Sequence, residues 1–232
     1  MRPVVNRFKD ADAVAIGAAE AIVARISKLL TEQHQVNLVV TGGTVGILTL
    51  AKLRNLELDW SNVHIWWGDE RFVPKSSGDR NELQARQALF DHVSIPKENL
   101  HPFPASDEGL SLDEAAAEFR KVVAGVRFDI LLLGIGPDGH IASLFPGKNA
   151  SGDLVVAEHD SPKPPPQRLS LSYAAINTAT EVWFTVAGAD KESAVAIAFG
   201  DTPESLPVGR VHGVAKTIWF VDASAGNATW GC

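Results

Sequence analysis

Asp138 and His140 stand two positions apart in the run Gly134-Ile135-Gly136-Pro137-Asp138-Gly139-His140. A carboxylate beside an imidazole holds its tautomer and steadies its charged form, as a general base requires. A lone loop histidine more often does nothing beyond bonding to the backbone. Here the flanking glycines favour a functional reading, because they let the backbone approach another group closely. The same run also matches G-x-G-x-x-G, the dinucleotide fingerprint. That fingerprint needs a helix beginning within the glycines, and Pro137 followed by Pro146 leaves little room for one. It also needs an acidic-ended strand ~20 residues further on, and none is clearly placed there. A nucleotide-dependent oxidoreductase is therefore the weaker reading.

Three further groups are candidates for handling an anion or an ester. Gly42-Gly43-Thr44 ends an apolar run and begins a helix-like one, so its amides and the helix N-terminus form a ready anion site. No Gly-Lys-Ser/Thr follows, so it is not a Walker loop. Asp69-Glu70-Arg71 follows a double tryptophan; at the end of an apolar strand it points into a crevice, whereas on a helix it would be solvated charge. Arg168 and Lys191 flank strand-like runs, where surface charge is the plain alternative. No Gly-x-Ser-x-Gly elbow and no His-Glu-x-x-His occurs, and the seven histidines show no ligand spacing. Hydrolysis here would use water activated by a base.

The elements that must carry these residues alternate. Residues 11–30 place Val14, Ala18, Ala21, Ile22, Ile26 and Leu29 at spacings of three and four, which predicts a helix. Strands are expected over 37–41, 63–67, 128–133, 181–187 and 217–221, ended in the first three cases by Gly42, Gly68 and Gly134. Helices are expected over 81–90, over 189–199, and from a Thr44 cap through Leu53. Strand and helix in alternation imply an α/β fold: a three-layer α/β/α sandwich with a mainly parallel, doubly wound, Rossmann-like sheet. Ligands of such sheets bind beyond the carboxyl ends of the strands, where the three glycine-bearing loops lie. Ser161-Pro162-Lys163-Pro164-Pro165-Pro166 is too short for a linker; its stiffness suits a rigid wall near a site as well as a surface loop.

Composition sets the bounds. The chain has 232 residues, 45% hydrophobic and 21% charged, so a full core is possible in one domain spanning 1–232. Net charge is −7, a poor match to nucleic acid, and any bound anion needs cations gathered locally. The single cysteine, Cys232, can form neither an internal disulfide nor a zinc-cysteine set. No secretory h-region and no apolar run near the ~20 residues of a membrane span is present. The expectation is a cytoplasmic monomer without membrane or nucleic-acid partner. Asn149 and Asn227, each in an Asn-x-Ser/Thr triplet, are read as chance matches.

With these residues in view, the sequence resembles the 6-phosphogluconolactonase family, in the superfamily that also holds glucosamine-6-phosphate deaminase. The resemblance runs from about Val39 to Trp219. It is carried by Thr41-Gly42-Gly43-Thr44, by Trp67-Gly68-Asp69-Glu70-Arg71-Phe72-Val73-Pro74, by Asn81 and by FDILLLGIGPDGHIASLFPG over 128–147. SPKPPPQRLSL over 161–171 and Gly188-Ala189-Asp190-Lys191 complete it. The deaminase branch continues from Asp-Gly-His towards Asn-Glu-Pro; this chain has Ala142-Ser143-Leu144-Phe145-Pro146 there, without the glutamate. One departure is Val45-Gly46, where the family's first loop often continues with proline.

The resemblance implies hydrolysis of 6-phospho-D-glucono-1,5-lactone to 6-phosphogluconate, with no metal or organic cofactor. It implies catalytic roles for His140, Asp138, Arg71 and Asp69, with His140 as base and Arg71 or loop amides at the oxyanion. It implies a substrate phosphate held by Gly42, Gly43, Thr44, Arg168 and Lys191. The rival classes are the phosphosugar deaminase, a silent sugar-phosphate-binding module, and the oxidoreductase.

Overall fold

The computed structural model describes residues 2–148 and 153–226; Asn149, Asn227 and Cys232 lie outside them. The chain opens with β1 (Val4–Phe8), α1 (Ala11–Glu32), β2 (Val36–Val40), α2 (Gly43–Leu53), β3 (Val63–Trp67) and β4 (Asp69–Arg71). Next come α3 (Asn81–Ala85), β5 (Leu100–His101), α4 (Leu112–Val123) and β6 (Ile130–Leu133). The last third holds β7 (Val155–Glu158), β8 (Arg168–Leu171), α5 (Tyr173–Ile176), β9 (Glu181–Val186), α6 (Glu192–Ala198) and β10 (Lys216–Asp222).

Seven strands form one sheet in the order β1-β10-β9-β6-β2-β3-β5, every pairing parallel. β2, β6 and β9 are buried along their whole length, so their apolar runs face helices on both sides. Adjacent residues of β3 show the two layers directly. Trp66 meets Phe119 of α4, whereas Trp67 meets Phe90 just after α3. Successive strand residues point to opposite faces, so α4 covers one face and the segment after α3 the other. The expected three-layer α/β/α architecture is what forms.

The winding fixes where a ligand belongs. From β2 the chain proceeds outward to β3 and β5, then returns to β6 beside β2 and proceeds the other way to β9 and β10. The carboxyl ends of β2 and β6 therefore flank the switch point, where the loops from neighbouring strands diverge and leave a crevice. Those ends carry Gly42-Gly43-Thr44 and Gly134 to His140.

Several elements differ from the sequence expectation. Residues 81–90 break into α3 and a single π-helical turn, Arg86–Phe90. Residues 189–199 begin as a 3-10 turn, Ala189–Lys191, before α6. Thr44 does not cap α2. Gly42 is the cap residue and provides no side-chain cap bond, and Gly43 begins the helix. β1 pairs with β10 at the sheet edge, and β4-β8-β7 form a separate antiparallel sheet; neither was expected. Among the described residues, no helix is long and apolar enough to cross a membrane.

Candidate active site

The glycine loop after β6 contains no helix, which removes the dinucleotide geometry. Instead it folds back on itself: the Gly136 amide donates to the His140 carbonyl at 2.8 Å, and the Gly139 amide to the Gly136 carbonyl at 2.9 Å. This brings His140 Nδ1 to 2.5 Å from Asp138 Oδ1. Only glycine permits it at position 136, since a Cβ there would lie 1.9 Å from His140 Nδ1. The imidazole is mostly buried and rests on Phe145, with ring centroids 4.8 Å apart.

Burial pushes His140 below the ordinary histidine pKa; Asp138 pulls it up, Lys163 pushes it down, and the net shift is downward. Burial works against the Asp138 carboxylate, but the bond from His140 and the Lys163 charge hold it below its usual range. The pair therefore carries a neutral imidazole and an ionised carboxylate at neutral pH. With Asp138 Oδ1 at 2.5 Å, the Nδ1 proton belongs in that bond and Nε2 carries the lone pair, a tautomer assigned from the bonding.

His140 lines a cavity of about 570 Å³. The turn from Gly42 to Gly46 supplies one wall, Lys163 and Pro164 another, and Thr185 to Gly188 with Lys191 a third. Four cations line it: Arg71, Lys163, Arg168 and Lys191. The local positive charge that an anionic ligand demands of a −7 protein is thus present. The uncapped first turn of α2 adds free amides at the positive end of that helix.

A smaller volume of about 130 Å³ adjoins this cavity, also lined by His140 and reaching Asp69 and Asn81. Asp69 is buried; its Oδ2 accepts from Ser143 Oγ at 2.6 Å, and its backbone carbonyl accepts from Asn81 Nδ2 at 2.9 Å. Its neighbour Glu70 has a structural task. It accepts from the amides of Arg71, Asn81 and Glu82, closing the start of α3. Burial pushes the Glu70 carboxyl up to about 7, against the pull of Arg80 and those amides.

All nine residues named from the sequence thus stand at or beside one crevice, but their surroundings differ. Arg71 donates Nη1 to the Asp79 carbonyl at 2.7 Å. Lys191 bonds Asp190 at 2.7 Å and begins α6 as its cap residue. Arg168 is buried and holds the proline loop: Nε donates to the Pro165 carbonyl, and Nη2 to the carbonyls of Lys163 and Pro164. Sequence reasoning missed Lys163, treating its segment only as a wall. Its Nζ is 3.3 Å from His140 Nδ1 and 3.8 Å from Asp138 Oδ1. A lone charged residue inside a proline run was the available signal.

Comparison with known proteins agrees with this geometry. A family model described as glucosamine-6-phosphate isomerases/6-phosphogluconolactonase matches residues 9–219. The chain is 41% identical to the 6-phosphogluconolactonase of Mycobacterium tuberculosis, across 97% of this chain and 98% of that protein. The crystal structure of 6-phosphogluconolactonase from Thermotoga maritima superposes with a TM-score of 0.85 at 31% identity, over 95% of this chain and 100% of that one. The Trypanosoma brucei 6-phosphogluconolactonase structure gives 0.86 at 27% identity, over 97% of each chain. The His140–Asp138 loop at the switch point of this sheet, together with likeness across nearly the whole length, places the chain in the glucosamine-6-phosphate isomerase/6-phosphogluconolactonase family.

Proposed function

We propose that this chain hydrolyses 6-phospho-D-glucono-1,5-lactone to 6-phospho-D-gluconate, in the oxidative pentose phosphate pathway. The observation that carries the reading is the His140–Asp138 pair opening onto a cavity lined by four cations. A δ-lactone is an activated ester, so one positioned base gives adequate help. His140 Nε2 takes a proton from water while the water oxygen bonds to C1 and the carbonyl electron pair moves onto its oxygen. When the tetrahedral species collapses, that pair reforms the carbonyl, the bond from C1 to the ring oxygen breaks, and the proton passes from Nε2 to the ring oxygen. Asp138 keeps the imidazole oriented throughout and steadies its transient charge. Asp69 raises the same imidazole's basicity through space.

The direct test is a coupled assay. Lactone is generated in situ and 6-phosphogluconate formation is followed against the spontaneous background; a rate equal to background would refute the reading. Glucosamine 6-phosphate in the same preparation should release no ammonia above a blank. The reason is local: Leu144 and Phe145, where the deaminase branch has Asn-Glu, are both buried, and Phe145 packs on the base. Ammonia release at a rate matching lactone turnover would move the chain to the deaminase branch.

The base works as a neutral imidazole whose pKa burial has lowered. Enzymatic kcat/KM should therefore rise with pH through an apparent pKa below the ordinary histidine value of about 6.5, and stay level through neutrality. A limb centred above that value, after subtraction of spontaneous hydrolysis, would contradict the assignment.

For the phosphate, the supports are the first-turn amides of α2 at Gly43 and Thr44, with Lys191 and Arg168 across the cavity. A phosphate remote from the lactone carbonyl is bound about equally in ground and transition states. Lys191→Ala should then raise KM by ~10- to 100-fold, the worth of about 1.5–3 kcal/mol for a charge-assisted bond. kcat should barely move, and unphosphorylated gluconolactone should be hydrolysed as by the wild type. Equal proportional losses on both lactones would show that Lys191 does not read the phosphate.

A further inference from the structure

We propose that Lys163 is a further catalytic residue, its ammonium stabilising the negative charge that develops on the lactone carbonyl oxygen while His140 takes the proton from water. The inference rests on the lactonase reading above and concerns the same cavity.

Lys163 is the cation nearest the base, with Nζ 3.3 Å from His140 Nδ1. Both nitrogens carry protons in the assigned tautomer, so this is an approach of charge and not a hydrogen bond. Nζ is also 3.8 Å from Asp138 Oδ1, a loose pairing that leaves its three N–H groups free to turn towards a substrate. Arg71, the cation suggested by sequence for the oxyanion, already has Nη1 tied to the Asp79 carbonyl.

The loop is also built to hold Lys163 in place. An ordinary surface lysine sits on a backbone that nothing fixes. Here Ser161 Oγ donates to the Lys163 carbonyl at 2.9 Å and accepts from the Lys163 amide at 3.2 Å. The Ser161 amide bonds the Pro166 carbonyl at 2.9 Å, closing the loop. Arg168, only 5% exposed, grips the carbonyls of residues 163, 164 and 165. Three successive prolines, Pro164 to Pro166, restrict what backbone freedom remains. A buried guanidinium and a stiff loop thus hold one half-exposed ammonium against the catalytic pair. Such preorganised charge, aimed where charge develops, accelerates acyl transfer without reorganising at the moment of reaction. Arg168 is then also a positioning residue, acting through Lys163.

A cation there also influences the base. The charged groups acting on His140 are Asp138 from its own loop, Asp69 from β4 and Lys163 from the loop before β8. Removing Lys163 removes the one that opposes protonation of the imidazole.

The test compares Lys163→Met and Lys163→Arg with the wild type in the coupled lactone assay, across pH. Wild-type turnover above background comes first; its absence would refute the lactonase reading itself, before Lys163 is at issue. With that activity in hand, Lys163→Met should lower kcat roughly 10- to 100-fold with KM within about threefold. Its acid limb should move to higher pH. Lys163→Arg, which keeps the charge, should recover most of kcat and leave the limb in place. Wild-type kcat with an unmoved limb in Lys163→Met would overturn the proposal. So would a loss confined to KM and absent with unphosphorylated gluconolactone, which would make Lys163 a phosphate contact. So would equal losses in both variants, which would mean the loop's shape matters and its charge does not.

Discussion

His140→Ala is expected to lower kcat by roughly 10²–10⁴, the usual contribution of a positioned base, with KM nearly unchanged. The residue is mostly buried and rests on Phe145, so truncation leaves a void beside that ring but removes no bond on which the strands depend. Circular dichroism and melting temperature should therefore stay close to the wild type, which separates lost chemistry from lost fold. What survives is the help given by binding and by the cations around the carbonyl. Added imidazole should restore part of the rate, because the void admits a small base. Unchanged kcat in this variant would remove His140 from the chemistry.

Asp138→Asn should cost on the order of 10²–10³ in kcat while leaving KM and stability alone. The substitution preserves size, so the loop and its Gly136–His140 bond can persist. What changes is the sense of the bond at Nδ1. A carboxylate only accepts, which keeps the proton on Nδ1 and the lone pair on Nε2; a carboxamide can donate instead and place the proton on the wrong nitrogen. The acid limb of kcat/KM should also move to lower pH, since Asp138 raises the basicity of the ring. Full activity in Asp138→Asn would mean that the carboxylate sets neither tautomer nor orientation.

The central sheet was legible because its inner strands are buried on both faces and so read as continuous apolar runs, as in ILLL of β6. β1 was not legible: it is an edge strand whose VVNRF alternates weakly and acquires meaning only from its pairing with β10. β4 and β8 were hidden for a similar reason. DER and RLSL pair side by side across nearly a hundred residues of chain, and no local period announces an antiparallel ribbon of that kind. α4 had a signal that went unread: Ser111 and Glu114 form a capping box, followed by Ala115, Phe119 and Val123 on one face. In the site, His140 and Asp138 were readable because both lie in one loop. Lys163 offered only a charge inside a proline run; its place beside them depends on the reach of Arg168 back across its own loop, which spacing does not encode. A threonine after two glycines reads as a cap, yet the helix already begins at Gly43, so Thr44 lies inside its first turn.

The neighbouring positions of β2 and β6 have a consequence for how activity appears during folding. The two strands pair Leu38 with Ile130 and Val39 with Leu131, partners some ninety residues apart in the chain. Gly42-Gly43-Thr44 follows one strand and the His140–Asp138 loop follows the other, so their shared cavity forms only when the two strands lie side by side. Contacts this distant must overcome the entropy of closing a long loop and form late. Catalysis should thus return only once β2 and β6 have paired, after helix content has already recovered, making turnover a reporter of when the middle of the sheet closes.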